Sequence, residues 1–406
     1  MRDEIRKRIE AVRRGEIPDG YIVENHQRRP LDWKYEKIAK YLVAHDEYSN
    51  DTERYMLATS SRQGLLPQTD YYNDQRFEET TGGFHVVPEG YVTYRHMSDD
   101  DVFKFNVNDL GAPVLVSPEY PVFTTNAELN QSLLIEYLNG TNEFRSFCRA
   151  QKKGSTRTRM YFSRLGEFMM PIPPISEQQK IADILSACDR VIELKQKRVE
   201  ELKQLKKTCL AKMFPREGED VPELRFPGFT APWEQRKLGE LCSEFKSGDF
   251  ISAEDIAEAG SYPVFGGNGL RGYTDRYNHD GEYALIGRQG ALCGNMNFSS
   301  GKAYFTEHAV AVKADKYNDT RFLFYCFGVM NLGQFSGQSA QPGLAVGNLV
   351  ELKTMVPTKP EQECISASLT ALDTLITLHQ RELEAGQQKK KALMQLLLTG
   401  LVRVKV

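Results

Sequence analysis

The sequence predicts an α+β fold in which two β-rich α/β domains are separated by two long antiparallel α-helices that form a coiled-coil spacer. Three observations carry this prediction. The stretch 176–214 contains neither proline nor glycine, the stretch 360–398 repeats its pattern, and a glycine-punctuated segment of short β-like runs precedes each. Because the order of domain and helix occurs twice, we expect a tandem duplication with a pseudo-two-fold internal repeat.

The first long stretch runs from Ser176 to Phe214. Ser176 precedes Glu177 and Gln178 and is suited to cap a helix N-terminus. At 1.5 Å per residue, the predicted helix is roughly 57 Å long, which exceeds an ordinary globular helix. An apolar seam of this length requires a partner.

The second stretch, residues 360–398, supplies that partner. It aligns with the first without a gap, and 13 of the 39 positions are identical. Glu177 and Asp189 align with Glu361 and Asp373. Antiparallel packing would place the two mixed domains at opposite ends of the helix pair. The apolar heptad positions predict the contacts between the helices at Ile181, Ile184, Cys188, Val191, Leu202, Leu205, Ile365, Leu372, Leu375 and Leu393.

The remaining elements are shorter. Residues 2–14 have the pattern of an amphipathic helix, and a short helix is expected near Tyr35–Leu42. Tyr91–Tyr94 and Val114–Val116 have strand character, and Gln131–Cys148 has helical spacing.

Composition limits the class of protein. The chain has 406 residues, of which 40% are apolar and 26% charged, with a net charge of −3. No apolar run has the length of a membrane span, and the N-terminal residues lack a signal peptide's apolar core. The seven cysteines form neither a CxxC pair nor a cluster with histidine, so neither a disulfide framework nor a zinc site is predicted. We expect a reduced, cytoplasmic setting.

Catalytic motifs are missing from the sequence. An amino-group DNA methyltransferase needs an Asp/Asn-Pro-Pro-aromatic motif, whereas Pro173–Pro174 is followed by Ile175. The single Gly-Lys pair, Gly301–Lys302, lacks the remainder of a nucleotide-binding loop. The histidines show no spacing typical of metal ligands. We therefore expect no catalysis and no metal site in this chain.

Charge is unevenly distributed. Residues 144–166 contain seven basic residues and no acidic one. This pattern is typical of a phosphate-binding surface, although a solvated basic face would look the same. In the second mixed domain, the nearly uncharged stretches Tyr283–Gly301 and Asn331–Asn348 are rich in Gly, Ser, Asn and Gln. These residue types form turns, and they also read base edges.

Three segments carry a resemblance to a known family. They are the entries to the two long helices, MPIPPISEQQKIADIL and MVPTKPEQECISASL, and the segment LRFPGFTAPWEQRKLGEL at 224–241. With these motifs, nearly the whole chain resembles the DNA-specificity subunits of type I restriction-modification systems. The resemblance implies an N-terminal helix and connector, two target-recognition domains, two spacer helices, a linker and a tail. Their boundaries are predicted, in chain order, at 1–30, 31–173, 174–214 (first spacer helix), 215–231 (linker), 232–358, 359–399 (second spacer helix) and 400–406.

By that resemblance, each recognition domain reads one half of an asymmetric bipartite target in double-stranded DNA, and the spacer sets the unread gap. The expected partners are two modification (methyltransferase) subunits and restriction (nuclease and translocase) subunits. S-adenosylmethionine, and ATP with Mg²⁺ for restriction, are expected in those partners, so that this chain binds no cofactor. No membrane association is expected.

Candidate DNA-binding residues follow from residue type and position. They are Arg95, Lys152, Lys153, Arg157 and Arg159 in the first domain, and Asn268, Arg288, Gln289, Ser339 and Gln341 in the second. Each could instead be a turn residue or a solvated charge. Two other functions remain open at this point: a coiled-coil scaffold without sequence-specific DNA binding, and a standalone enzyme with an unrecognised site.

Overall fold

The computed structural model describes residues 2–24, 27–72, 83–152, 157–290, 292–336 and 343–404. The chain divides into two compact units, residues 1–194 with 383–406 and residues 195–382. Each of the two long helices contributes one part to each unit.

The helices of the described residues are, in chain order, α1 Arg2–Arg13, α2 Gln68–Tyr71, α3 Gln131–Gly140, α4 Asn142–Ala150, α5 Phe162–Gly166, α6 Ile175–Lys212, α7 Thr320–Val329, α8 Val346–Glu351 and α9 Lys359–Leu398. Short 3-10 turns occur at Ile38–Lys40, Leu238–Leu241, Ala253–Asp255 and Leu332–Phe335. Among these helices, none is both long enough and apolar enough to cross a membrane.

The strands of the first unit are β1 Tyr21–Glu24, β2 Gln27–Pro30, β3 Lys34–Lys37, β4 Leu42–Ala44, β5 Tyr48–Ser49, β6 Met56–Ser61, β7 Gly64–Pro67, β8 Phe84–Val87, β9 Val92–Tyr94, β10 Met97–Ser98, β11 Phe105–Val107, β12 Val114–Val116, β13 Val122–Thr125, β14 Thr158–Arg159 and β15 Met169–Ile172. They form a five-stranded sheet (β5-β8-β12-β6-β7), a four-stranded sheet (β11-β9-β13-β4) and the pairs β1-β2, β10-β14 and β3-β15.

A continuous apolar run makes β12 a central strand. Val114, Leu115 and Val116 are all buried, which fits a strand covered on both faces. The strand pairs in parallel with β6 and antiparallel with β8. The strand character predicted for Tyr91–Tyr94 and Val114–Val116 is confirmed by β9 and β12.

The strands of the second unit are β16 Glu234–Lys237, β17 Cys242–Ser247, β18 Tyr262–Gly266, β19 Gly269–Thr274, β20 His279–Gly287, β21 Met296–Phe305, β22 Ala309–Ala314 and β23 Lys353–Val356. Six of them form one sheet in the order β17-β22-β20-β21-β18-β19, and β16 pairs with β23. Helix α7 packs on this sheet, with Phe322, Leu323 and Phe327 buried in the core of the unit.

Both units use the same antiparallel ribbon immediately before a long helix. Strand β15 pairs with β3 just before α6, and β23 pairs with β16 just before α9. An ion pair crosses each ribbon at the same place: Lys37 Nζ lies 2.5 Å from Glu167, and Lys237 Nζ lies 2.6 Å from Glu351. The duplication read from the sequence is therefore present in the fold.

The long helices run antiparallel to each other within each unit. In the first unit Ile181 near the start of α6 shares a core with Leu397 near the end of α9. In the second unit Ile365 near the start of α9 shares a core with Met213, which follows α6. In both units this core also includes side chains of the mixed domain, so each helix start is packed into its domain.

The predicted inward positions of the helices differ in their burial. Ile181, Leu202 and Ile365 are buried, and Cys188, Leu372 and Leu393 are partly buried. The other four predicted positions are 36–51% exposed: Ile184, Val191, Leu205 and Leu375. The prediction that these four side chains are packed between the helices is therefore corrected. The heptad assignment failed there because a 3.6-residue helix drifts from a strict seven-residue repeat, and because part of each helix packs on its domain.

One local prediction was wrong, and a second was confirmed with one break. The segment predicted as a helix near Tyr35–Leu42 contains β3, a 3-10 turn and the start of β4, because ribbon pairing with β15 overrides local propensity. The helical spacing of Gln131–Cys148 is confirmed by two helices, α3 and α4. The break lies at Thr141, whose hydroxyl accepts a hydrogen bond from the Phe144 N–H and caps α4.

Candidate nucleic-acid interface

A buried carboxylate anchors the start of α6. The Trp33 indole N–H donates to Glu177 at 3.1 Å, and the Arg403 guanidinium donates to both oxygens of Glu177 at 2.9 and 2.8 Å. Arg403 also binds Asp32 with two hydrogen bonds of 2.8 and 2.7 Å. These carboxylates raise the pKa of Arg403. Because Glu177 is only 1% exposed, these protein donors supply the hydrogen bonds that water gives to an exposed carboxylate.

The second unit repeats this anchor with different segments of the chain. Trp233 donates to Glu361 at 3.4 Å, and Arg225 donates to both Glu361 oxygens at 2.8 Å. Arg225 lies in the segment that follows α6, whereas Arg403 lies in the segment that follows α9. Each anchor therefore joins a mixed domain, the start of one long helix and the segment after the other.

The glutamine beside each anchor ties the long helix to the domain. The Gln178 side chain accepts from the backbone N–H of Asn130, the residue that caps α3, and donates to the carbonyl of Pro173. Gln362 makes the same contacts with Asp319, which caps α7, and with Pro357. The Glu-Gln motif at the helix entries thus has a structural role in both units.

We call residues 31–173 the first head and residues 232–358 the second head. Four of the candidates in the first head are exposed. Arg95 lies directly after β9, Lys152 lies two residues after the end of α4, and Arg159 lies in β14. Arg157 precedes Arg159 and is also exposed. Lys153 lies outside the described residues.

The short ribbon of β10 and β14 brings these residues towards an acidic loop. Met97 pairs with Arg159, and Ser98 with Thr158. The Arg157 Nε donates to Asp99 at 2.8 Å, and Lys152 Nζ lies 3.8 Å from Asp101. The basic segment is therefore partly neutralised within the head.

A polar cleft of about 350 Å³ opens beside this ribbon. Its lining includes Arg95, the turn residues Arg62 and Gln63 between β6 and β7, and the paired rings of Tyr71 and Tyr72. Guanidinium, amide and phenol groups together can bind phosphate oxygens, base edges and base faces. Sequence reasoning missed the last four residues. Their signal was weak, since the hairpin turn Ser61–Gly64 looks like an ordinary exposed connection.

The candidates in the second head occupy different settings. Asn268 is exposed at the turn between β18 and β19, and Gln289 is exposed beside an isolated bridge to Gly343. Arg288 is half-buried and donates to the Leu344 carbonyl at 3.2 Å and to Ser247 Oγ at 3.1 Å. These contacts hold the loop after β20. Ser339 and Gln341 lie outside the described residues.

Metal binding has no support among the described residues, which contain no group of three or more His, Cys, Asp or Glu side chains suited to an ion. Burial raises the pKa of Cys148 and Cys242 to about 12, so these thiols are poor nucleophiles. The features that the two heads present are exposed cations, amides and tyrosines.

Comparisons with known proteins identify the family of this chain. The family model described as type I restriction modification DNA specificity domain matches residues 106–204 and 231–385, parts of both heads and both long helices. The specificity subunit of type I restriction enzyme EcoprrI from Escherichia coli is 48% identical over 145 residues, which is 35% of this chain and 36% of that protein. The specificity subunit of type I restriction enzyme MjaVIII from Methanocaldococcus jannaschii is 23% identical over 93% of this chain and 95% of its own length.

A solved structure supports the fold. The type I restriction-modification S subunit from M. genitalium superposes with a TM-score of 0.64 at 15% identity, over 93% of this chain and 98% of that one. This likeness concerns the fold alone, whereas the family model matches more than half of the sequence. The chain belongs to the family of type I restriction-modification DNA specificity proteins.

Proposed function

We propose that this chain is the non-catalytic specificity subunit of a type I restriction-modification complex, in which each head binds one half of an asymmetric bipartite DNA target. The family supplies the role of DNA specificity. The observation that carries the two-headed form of the proposal is the repeated anchor: Glu177 and Glu361 each hold a tryptophan and an arginine in the same way. Two equivalent attachments with unlike heads suit a target whose halves differ.

The unlike chemistry of the heads supports different half-sites. The first head presents Arg62, Arg95 and Arg159 around a cleft and a basic ribbon. The second head presents amides, with Asn268 and Gln289 exposed on turns. Arginine favours guanine and phosphate, whereas asparagine and glutamine favour adenine. We therefore expect the two halves of the target to differ in the bases that are read.

The proposal extends to partners and cofactors. Two modification subunits and restriction subunits would assemble with this chain and carry S-adenosylmethionine and ATP with Mg²⁺, while this chain would bind none of these. The family also supports a cytoplasmic location, where the DNA and the partner subunits would be.

The test is methylation mapping with the assembled complex. The chain is co-expressed with its modification subunits, and genomic DNA is sequenced for methylated adenine. We expect one bipartite motif with a fixed gap. Methylation without any motif, or a motif independent of this chain, would refute the proposal.

Point variants then assign the heads. Arg159→Ala in the first head should weaken binding or relax specificity in one half-site by about fivefold or more. Asn268→Ala in the second head should affect the other half-site. Equal losses at both half-sites from either variant would contradict the assignment of one half-site to each head.

A further inference from the structure

Three consecutive aspartates, Asp99, Asp100 and Asp101, follow β10 in the first head and hold cations from three separate segments. Asp99 binds Arg157 at 2.8 Å, and Asp100 binds Arg62 at 2.5 Å. Asp101 lies 3.8 Å from Lys152. One short loop thus neutralises cations from the β6–β7 turn, the end of α4 and the segment before β14.

The conformation of this loop, which we call the aspartate loop (Ser98–Asp101), is fixed by local bonds. Ser98 Oγ donates to Asp100 at 2.9 Å and accepts from the Val102 N–H at 3.1 Å. The Thr158 hydroxyl donates to Asp101, whose φ of 62° lies in the left-handed region that aspartate tolerates better than most residues. The carboxylates are therefore presented in defined positions.

Two of the three pairs remain open to solvent. Arg62 and Arg157 are 66% and 52% exposed, and their aspartate partners are 48% and 69% exposed. Exposed ion pairs of this kind contribute little to folding stability and exchange partners readily. Stability of the fold is thus a weak reason for these two pairs, whereas Lys152 and Asp101 are 35% and 14% exposed and lie 3.8 Å apart.

The loop also borders the surface expected to meet DNA. Ser98, Asp99 and Arg62 line the same cleft as Arg95. Arg157 and Lys152 belong to the segment 144–166, in which seven basic residues occur without an acidic one. A phosphate oxygen that reached these cations would take the place of a carboxylate oxygen, since both accept charge-assisted hydrogen bonds from the same donors.

We propose that the aspartate loop is an intramolecular substitute for DNA phosphates, which occupies Arg62, Lys152 and Arg157 in the free protein and releases them when DNA binds. This inference rests on the proposed function. Nonspecific complexes depend on phosphate contacts, and in the native protein these contacts form only after the three ion pairs are broken. The free-energy cost of breaking the pairs lowers the affinity of the native protein for DNA of arbitrary sequence. The loop therefore opposes retention of the protein on DNA that offers phosphates without matching bases.

The test is a triple substitution, Asp99→Asn, Asp100→Asn and Asp101→Asn, in the full chain assembled with its modification subunits. Binding to a random-sequence duplex is measured over a range of salt concentrations. One exposed pair corresponds to at most about a fivefold change in an equilibrium constant, so we expect the triple variant to bind random DNA roughly tenfold more tightly at low salt. The gain should shrink as salt rises.

A matched control separates pairing from net charge. Glu53→Gln, Glu89→Gln and Asp109→Asn change the charge of the same head equally, at exposed carboxylates that have no ion pair among the described residues. We expect at most about a twofold gain from this control. An equal gain in both triple variants would overturn the inference.

A single substitution provides a second test in case the triple variant does not fold. Asp100→Asn removes one pair and is expected to raise random-DNA affinity about twofold to threefold with only a small decrease in melting temperature. Unchanged affinity in a folded Asp100→Asn complex would refute the role of this pair. If the unmodified complex shows no sequence preference in the methylation assay, the proposed function fails instead, which distinguishes the two failures.

Discussion

Lys390 of α9 binds Asp189 of α6 with two hydrogen bonds of 2.6 Å, and the duplication repeats this pair in the second unit with the helices exchanged. There Lys206 of α6 binds Asp373 of α9 at 2.5 Å. In the alignment of the two helices, Asp189 falls on Asp373 and Lys206 falls on Lys390. One ancestral contact between a long helix and its partner is thus preserved in both units.

In each unit a third residue, on a helix of the mixed domain, contacts the Asp–Lys pair, and this residue differs between the two units. In the first unit Lys390 also binds Glu136 of α3 at 2.9 Å. Burial raises the pKa of Glu136, and Lys390 opposes that shift. In the second unit the equivalent position on α7 is Tyr325, whose hydroxyl donates to Asp373 at 2.8 Å and whose ring lies beside Lys206. The domain helix therefore contributes a charge in one unit and a phenol in the other.

This difference predicts unequal costs for the same substitution. Lys390→Met leaves two carboxylates facing each other in a partly buried site, although Lys104 lies near enough to compensate in part. We expect a loss of about 2 kcal/mol in the free energy of unfolding. Lys206→Met leaves Asp373 with the hydrogen bond from Tyr325, and we expect about 1 kcal/mol. Denaturant unfolding measures both; equal losses would contradict the argument.

The second prediction concerns the buried anchors. Arg225→Met removes both guanidinium hydrogen bonds from Glu361, which is only 1% exposed, and leaves its charge with the Trp233 N–H. We expect a loss of about 3 kcal/mol in the free energy of unfolding of the second unit. Hydrogen exchange at the start of α9 should locate the loss.

A double variant separates charge from packing at this anchor. Glu361→Gln combined with Arg225→Met leaves no buried charge, so it should be more stable than Arg225→Met alone. Arg225→Lys should recover only part of the stability, because an ammonium group cannot bind both carboxylate oxygens in the same plane. A Lys variant as stable as the original chain would count against the bidentate geometry.

The third prediction is a pKa change in the aspartate loop. The hydrogen bond from Arg62 lowers the pKa of Asp100 to about 2, below its ordinary value of 3.8. The pair therefore contributes stability above about pH 4 and loses that contribution as the pH falls through about 2. In Arg62→Gln the pKa of Asp100 should rise towards the ordinary value. A carbon-13 titration of labelled aspartates, with Asp100→Asn to assign the signal, measures this directly.

Periodicity and duplication made the long helices and their partnership predictable, because so long a stretch without proline or glycine as Ser176–Phe214 excludes most other structures. Sequence reasoning also aligned Glu177 with Glu361, but it could not find Arg403 and Arg225. These arginines sit in segments with no alignable register, and the anchor appears only when two distant segments meet at one carboxylate. Contacts between segments that are distant in the sequence leave little signal in the sequence of either segment.

The candidate interface was predicted by residue type, and residue type does not reveal what a side chain already contacts. Arg157 and Arg159 are close neighbours in the sequence, yet Arg157 is held by Asp99 whereas Arg159 lies exposed in β14. Arg288 was selected for its place in an uncharged loop, and the structure shows its guanidinium bound to Leu344 and Ser247. The basic segment was visible in the sequence, but the acidic loop that faces it comes from a distant upstream part of the chain.

The last prediction tests whether the long helices set the gap in the DNA target. Seven residues are deleted from each helix between the two Asp–Lys pairs, residues 195–201 of α6 and 378–384 of α9. Both Asp–Lys pairs are kept by this change. Seven residues correspond to about 10 Å of helix and nearly two full turns. The part of each helix after the deletion is therefore rotated by only about 20° relative to the part before it. We expect the methylated motif to keep both half-sites while the gap between them shortens by up to about three base pairs at about 3.4 Å each.

Methylation sequencing reads this outcome, and a substitution control isolates length. The same fourteen positions are replaced by Ala, Glu and Lys without deletion, which preserves helix length and helix propensity while removing the native side chains. The control should keep the original gap. A shortened helix pair that methylates the original motif with the original spacing would show that helix length does not determine the gap, since only the length separates the two variants.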